Sequence, residues 1–177
     1  MGYKRLFILV EGEDDIRFFD RIIKPIHQKK YDLVEVIRFA RMKEDKRDDF
    51  LKSIQAMNAD YIYATDIDDA PCVTAKKQEI QNRLRNLDTN RTIVILKEIE
   101  SWYLAGLSNE DLQKFKIRSF GATEDINKEQ FNSLIPKKFS SRIDFMLEIL
   151  KSFSNEIAKQ KNGSFRYFIE KYCCEVS

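Results

Sequence analysis

Four short apolar runs, each followed by a segment with helical periodicity, constrain the fold of this chain most strongly. The runs are rich in isoleucine, valine, leucine and aromatic residues, which is typical of strands buried on both faces. They span residues 3–10, 33–39, 61–65 and 92–96. Alternation of this kind predicts an α/β fold with a mostly parallel, Rossmann-like four-stranded sheet flanked by helices.

The strand signal fades after residue 108, and helical periodicity takes over. Two amphipathic helices are predicted there, with apolar faces at Ile143, Met146, Leu147, Leu150 and Phe153, and at Phe165, Phe168, Ile169 and Tyr172. We therefore predict an α/β core at residues 1–108 and a helical C-terminal extension at residues 109–177 that packs on it.

The single histidine narrows the chemistry. His27 is the only imidazole in 177 residues, and we expect it on the surface at a helix end. Ser-His-Asp and Cys-His catalysis are therefore excluded as serious options, as are the usual zinc hydrolases. Three cysteines without a CxxC spacing favour neither a disulfide framework nor a zinc site. Carboxylates must carry most of any chemistry.

The charge balance gives little guidance on partners. Lys and Arg total 31 and Asp and Glu total 29, so bulk charge gives no support for a nucleic-acid partner. Lys137, Lys138 and Arg142 form a local basic stretch, interpreted as a solvated turn, with contact to a nucleic-acid backbone as the alternative. No secretory start and no membrane-length apolar segment is recognised, which predicts a cytoplasmic protein with no membrane partner.

Acidic residues follow three of the four predicted strands. The carboxyl ends of parallel strands share one edge of the sheet, so these groups are expected to meet there. They are Glu11 after the first strand, Asp66, Asp68 and Asp69 after the third, and Glu98 and Glu100 after the fourth. Clustered carboxylates need a cation, and hard oxygen ligands favour one or two Mg²⁺ or Mn²⁺ ions that bind substrate phosphates. The pattern predicts a metal-dependent site for a phosphate ester.

Spacing sharpens this hypothesis and also leaves alternatives. Residues two apart in an extended backbone point the same way, which would pair Asp66 with Asp68 and Glu98 with Glu100. Gly12 allows a tight turn after Glu11 and leaves room for a phosphate near a helix start. In the simpler interpretation, the acids at 13–15 complement a helix N-terminus, and either late glutamate is merely solvated.

Two stretches resemble the motifs of the Toprim domain. Residues 6–15, LFILVEGEDD, are similar to its first motif, an apolar strand followed by Val-Glu-Gly and an acid three positions beyond the glycine. Residues 61–69, YIYATDIDD, resemble its second motif, a strand that closes on Asp-x-Asp. Residues 97–102, KEIESW, are similar to Toprim-like proteins related to OLD-type nucleases. The resemblance covers about residues 4–108.

The resemblance implies a role for each matching residue. Glu11 would be a metal ligand or general acid/base, Asp66 and Asp68 would hold Mg²⁺, and Asp15 would be a supporting acid. Asp69 would be an outer ligand, and Glu100, with Glu98 as second choice, would complete the site. The resemblance further implies a nuclease acting on DNA or RNA in defence or repair, with an ATPase supplied by another chain. The aromatic-rich C-terminal helices could provide a homodimer face.

Two other classes of function stay open at this stage. One is a catalytically silent Toprim-like scaffold that binds a partner protein. The other is a receiver-like phosphoacceptor, in which Asp14, Asp15 and Asp66 would form the acidic site and Lys97 would be the late lysine. Glu11, Gly12 and Asp68 have no role in that second model.

Overall fold

The computed structural model of the protein describes residues 2–173. Its strands are β1 (Arg5–Val10), β2 (Leu33–Arg38), β3 (Asp60–Asp66) and β4 (Thr92–Ile95). Its α-helices are α1 (Glu13–Phe18), α2 (Lys24–His27), α3 (Glu44–Ala56), α4 (Val73–Arg83), α5 (Glu100–Ala105), α6 (Asn109–Lys114), α7 (Lys128–Ser133), α8 (Arg142–Ser152), α9 (Asn155–Lys161) and α10 (Gly163–Phe168). Two π-helical turns, Phe19–Ile23 and Ile169–Cys173, and one 3₁₀ turn, Thr89–Arg91, complete the secondary structure of this part of the chain.

The predicted fold class is confirmed. The four strands form an all-parallel sheet in the order β2-β1-β3-β4, flanked by helices. β1 lies between β2 and β3, and five of its six residues are buried, which explains its almost uninterrupted apolar sequence. Helical crossovers between the strands keep every strand pointing in the same direction, so the carboxyl ends share one edge.

Period-two alternation along the strands builds the core on one face of the sheet. Side chains at odd positions of β1 and β3 pack there against α3 and α4, since successive residues of a strand face opposite sides. Leu84 and Leu87 belong to this core although α4 ends at Arg83. The buried residues of this face are Phe7, Leu9, Phe39, Leu51, Ile54, Tyr61, Tyr63, Ile80, Leu84 and Leu87.

The helical segment after β1 changes its winding ahead of Pro25. Proline has no amide hydrogen, and its ring displaces the carbonyl four residues earlier, that of Arg21. Arg21 lies in the π-helical turn between α1 and α2, so the disturbance from Pro25 takes the form of a widened turn. His27 ends α2 as expected, but its predicted exposure was wrong, since only 3% of it is accessible. The Tyr31 ring packs against the imidazole, with 6.2 Å between the ring centres.

The chain divides into two compact units, Met1–Val94 and Ile95–Ser177. The second unit is helical, with Trp102, Phe165 and Phe168 fully buried and in ring contact. The predicted boundary between residues 108 and 109, and the packing of the extension on the core, stay predictions.

The apolar face predicted for the helix at 143–153 was partly wrong. Ile143 and Leu147 are 48% and 38% exposed, whereas Phe145 is fully buried on α8. Phe145 contacts Phe115 and Phe131, so aromatic packing sets the rotation of the helix.

No helix in residues 2–173 is long and apolar enough to cross a membrane.

Candidate functional site

Glu11 and Asp66 meet at the carboxyl edge of the sheet. β1 and β3 pair in parallel with Leu9 beside Tyr63, and continuing this register by two residues places Glu11 beside Thr65. The Thr65 hydroxyl donates a hydrogen bond of 2.5 Å to Glu11 Oε1, and the Asp66 amide donates one of 3.3 Å to the same oxygen. The strand order therefore brings together two of the predicted site residues that are 55 positions apart in sequence.

The backbone around Glu11 is fixed from the other side by the end of β2. The Phe39 amide donates to the Val10 carbonyl at 2.8 Å, and the Ala40 amide donates to the Glu11 carbonyl at 3.3 Å. The Glu11 side chain is half-buried. Hydrogen bonds from β3 on one side and from the end of β2 on the other therefore fix the carboxylate and the backbone of Glu11.

A buried tyrosine lies behind this edge, near the end of β3. Burial raises the pKa of the Tyr63 hydroxyl to about 12, and the nearby Glu11 charge adds to that rise, while Arg47 opposes it. Arg47 donates to the Tyr63 hydroxyl at 2.9 Å and lies over the Phe39 ring at 4.5 Å. The face below Glu11 therefore carries a fixed positive charge.

The close approach of the Asp15 side chain accounts for the glycine at position 12. Its φ of −123° is open to any residue, so the tight turn expected from glycine is not what the site uses. A Cβ at this position would lie 3.3 Å from Asp15 Oδ2. Asp15 reaches back to accept a hydrogen bond of 3.1 Å from the Gly12 amide, which caps the start of α1. This contact is the one expected if the acids at 13–15 simply complement the N-terminus of a helix. A catalytic role for Asp15 stays a prediction.

Asp68 does not follow the strand geometry that the Asp-x-Asp spacing suggested. β3 ends at Asp66, and Asp68 has a left-handed backbone with φ of 47°, so the period-two argument does not apply to this pair. Asp68 forms an ion pair with Lys76 on α4, whose ammonium side chain is only 7% exposed while that of Asp68 is 59% exposed. Asp69 is exposed next to it. The position of Asp68 is therefore set by its left-handed backbone and by Lys76, and strand alternation does not align it with Asp66.

Glu98 and Glu100 lie in the second unit and have contacts there. Glu98 Oε2 accepts a hydrogen bond of 2.5 Å from the Lys128 amide at the start of α7, an interaction typical of helix capping. Glu100 is 4% exposed and forms an ion pair with Arg142 on α8. The extended spacing assumed for these two glutamates is absent, since Lys97 has a left-handed φ of 63° and Glu100 begins α5.

Within residues 2–173, no three histidine, cysteine, aspartate or glutamate side chains are grouped so that they could hold a metal ion. The edge itself offers the pair Glu11 and Asp66. Sequence reasoning missed Thr65, which orients Glu11, and Lys76, which neutralises Asp68. A signal existed for Thr65, because parallel pairing of the first and third strands brings it beside Glu11. Nothing in the local sequence distinguishes Lys76 from Lys77, the other lysine of α4.

No protein-family model matches this chain, and no curated protein does. Two solved structures resemble it, both of the C-terminal region of the OLD protein of Xanthomonas campestris pv. campestris. The structure phased with iodine is 16% identical with a TM-score of 0.39, covering 99% of this chain and 91% of that one. The structure phased with mercury is 16% identical with a TM-score of 0.42, covering 97% and 95%. Neither family nor activity follows from a resemblance of this extent.

Proposed function

We propose that this protein is a Toprim-like phosphodiester-processing enzyme that depends on Mg²⁺ or Mn²⁺, and that it acts as a nuclease on DNA or RNA. One observation carries the proposal: Glu11 is held against Thr65 and Asp66 at the carboxyl edge of two adjacent parallel strands. Ligands of open parallel sheets bind at this edge. With no imidazole there, these carboxylates are the groups available for phosphate chemistry.

The donor set fits such an ion. Mg²⁺ keeps several waters and takes one or two protein carboxylates together with substrate phosphates, so a pair of acids is chemically sufficient. Glu11 and Asp66 would hold the first ion. Asp68 would join them by leaving Lys76, and Asp69 would serve as an outer ligand. A bound ion would polarise the phosphoryl oxygen and neutralise its charge.

Each residue at the edge has a part of its own. Oε1 of Glu11 already accepts two hydrogen bonds, so Oε2 is the oxygen through which Glu11 would bind a cation or a proton. Thr65 fixes the carboxylate orientation, which limits the entropy lost on binding. Asp15 holds the Gly12 amide and thereby the position of the loop after β1. Glu98 and Glu100 would contribute only by giving up their contacts in the second unit.

The proposal includes partners. The substrate is a nucleic acid, and the energy-dependent step of an OLD-like system would come from an ATPase on another chain. A homodimer through the C-terminal helices and a cytoplasmic location are part of the same proposal.

The Asp68–Lys76 ion pair and the Asp15 cap favour a second candidate, a catalytically silent Toprim-like scaffold. Both carboxylates already have structural partners. The receiver-like alternative gains no comparable support, because Asp14 forms an ion pair with Arg17 at 2.5 Å. It predicts an acid-labile phosphoryl group on Asp66 after exposure to a small phosphodonor, and no incorporation would refute it.

The test is cleavage of end-labelled single- and double-stranded DNA and RNA by the full chain with Mg²⁺ or Mn²⁺. Glu11→Gln and Asp66→Asn should each lower the cleavage rate by about 10²-fold or more, since they remove charge at the reacting phosphate. The amide that Glu11→Gln introduces retains an acceptor oxygen for Thr65, so the fold is expected to persist, as circular dichroism would verify.

Glu35→Gln is the matched control, because Glu35 is an exposed carboxylate of the same sheet on β2. It should cleave at the rate of the unmodified chain. Cleavage undiminished in the Glu11 and Asp66 variants would place the active site elsewhere. Absence of cleavage in every chain, with a stable complex in pull-down, would favour the scaffold.

A further inference from the structure

The second unit contains a cleft outside the site described above. The end of α6 and the residues after it, 114–118, form one wall, and the segment 133–138 after α7 forms the other. Its volume is about 490 Å³, within the range of small-ligand sites. Nothing assigned to Glu11, Asp66 or their neighbours uses this cleft.

Positive charge surrounds the cleft. Within residues 2–173, five of the residues that line the cleft are cationic and none of them carries a carboxylate. The five are Lys114, Lys116, Arg118, Lys137 and Lys138. Lys114 lies 3.7 Å from Asp111 outside the cleft, and its side chain is 71% exposed. Among residues 2–173, the other four form no ion pair with a carboxylate.

The floor of the cleft is apolar. Phe115 and Ile117, which are 6% and 8% exposed, alternate with the cations of the first wall, and Pro136 belongs to the second. Lys138 lies 5.2 Å from the centre of the Phe115 ring, so a cation–π contact holds its ammonium over the floor. A solvated basic turn would need neither a concave shape nor this floor.

A floor of this kind with cations at its rim suits a ligand that combines anionic groups with apolar surface. The phosphates and bases of a nucleic-acid strand have that chemistry, since grooves for single strands combine cations along the backbone with apolar contacts to bases. An inorganic anion would gain nothing from the floor. A lipid surface is flat, so it would contact the rim alone.

We propose that this cleft binds the backbone of a single nucleic-acid strand, with phosphates at Lys116, Arg118, Lys137 and Lys138. The identity of the polyanion rests on the proposed nuclease function, but the site is separate from the carboxylates at Glu11 and Asp66. The basic stretch at Lys137 and Lys138, interpreted from sequence as a solvated turn, then becomes one wall of a substrate-binding surface.

The test measures how tightly the full chain binds fluorescein-labelled single-stranded DNA and RNA in EDTA. The strands are about 20 nucleotides long, because one single-strand binding fold covers roughly 4–16 nucleotides. Fluorescence anisotropy reports the affinity. One variant carries K116Q, R118Q, K137Q and K138Q. The matched control replaces four exposed cations elsewhere, K29Q, K52Q, R85Q and R166Q, so both variants lose the same charge. Circular dichroism establishes that each is folded.

We expect the cleft variant to bind at least about tenfold more weakly than the control at low salt. The plot of log K against log salt should become less steep by about 3, since each of the four lost phosphate contacts on a single strand contributes roughly 0.7 to the steepness. Equal affinity and equal slope in the two variants would overturn the proposal. Equally strong competition by poly-glutamate, or an equal loss of binding to anionic phosphatidylserine vesicles, would also overturn it, because the cleft would then select charge alone.

Failure of this proposal differs visibly from failure of the proposed function. Strand binding that depends on the cleft, in a chain that cleaves nothing, would leave the cleft assignment intact and refute the nuclease. Cleavage that is lost in Glu11→Gln but unaffected by the cleft variant would support the nuclease and refute the cleft assignment.

Discussion

Replacing Lys76 by methionine should strengthen metal binding at the sheet edge. Lys76 is 5% exposed, and its ammonium neutralises Asp68, the acid that would join Glu11 and Asp66 around a cation. Methionine is unbranched and close to lysine in length, so it can fill the space of the lysine stem without a charge. The change therefore removes the competitor for Asp68 and leaves every proposed ligand in place.

The size of the effect follows from the exposure of the pair. Two unit charges about 4 Å apart interact by about 1 kcal/mol in water and by about 4 kcal/mol near a protein surface. The Asp68 side chain is 59% exposed, so the lower value applies. About 1 kcal/mol corresponds to a roughly fivefold lower dissociation constant for the ion. The free energy of unfolding should change by less than about 1 kcal/mol, because the Asp68 carboxylate that loses its partner is 59% exposed and water can solvate it.

Titration with Mn²⁺, followed by the electron paramagnetic resonance of the free ion, measures this constant directly. Lys77→Met is the control, since it removes the same charge one position along α4 and leaves the Asp68–Lys76 pair intact. The gain should vanish when Asp68→Asn is added to Lys76→Met. A Mn²⁺ affinity of Lys76→Met equal to or weaker than that of the unmodified chain would refute the reasoning.

Two further predictions concern stability. A Cβ added at Gly106 would lie 2.3 Å from the Phe153 ring, so Gly106→Ala should lower the free energy of unfolding by about 2–3 kcal/mol in urea titrations. Gly121→Ala, with no heavy atom within 4 Å of its Cβ, should change it by less than about 0.5 kcal/mol, and equal effects would contradict the packing argument. Burial, with a smaller contribution from Lys30, lowers the pKa of His27 from 6.5 to about 4, so stability should be full above pH 6.5 and fall as the pH drops towards 4. The unmodified chain should lose about 3 kcal/mol of its free energy of unfolding over this range, and His27→Gln should not. The same pH dependence of unfolding in both chains would exclude this role of His27.

The fold was predictable because its determinants are local and periodic. A buried central strand needs an apolar sequence, and β1 has one with five of six residues buried. Rotation of a helix is less determined, since several faces of α8 are apolar. Ile143 and Leu147 fit the periodicity but are exposed, because Phe145 packs on aromatic partners that lie elsewhere in the sequence.

The site was predictable only as far as the strands reach. Glu11 directly follows β1 and Asp66 ends β3, so the pairing of these two strands brings them together. Asp68 lies beyond the end of β3, and its left-handed backbone removes the alternation on which its placement depended. Its pairing with Lys76 on the next helix depends on how α4 begins, which is a tertiary property without a sequence signature.

The same contacts lower the electrostatic cost of an acidic edge in the folded chain. Two hydrogen-bond donors satisfy Glu11 Oε1, and a nearly buried ammonium offsets Asp68. Repulsion between the carboxylates is thereby reduced inside the protein itself. A cation or phosphate-bound ion would then have to compete with Lys76, and the affinity of the edge becomes a difference between two electrostatic interactions of similar size. Under the proposed function, such an edge would bind an ion weakly by itself and would gain most from substrate phosphates, which add ligands that Lys76 does not oppose.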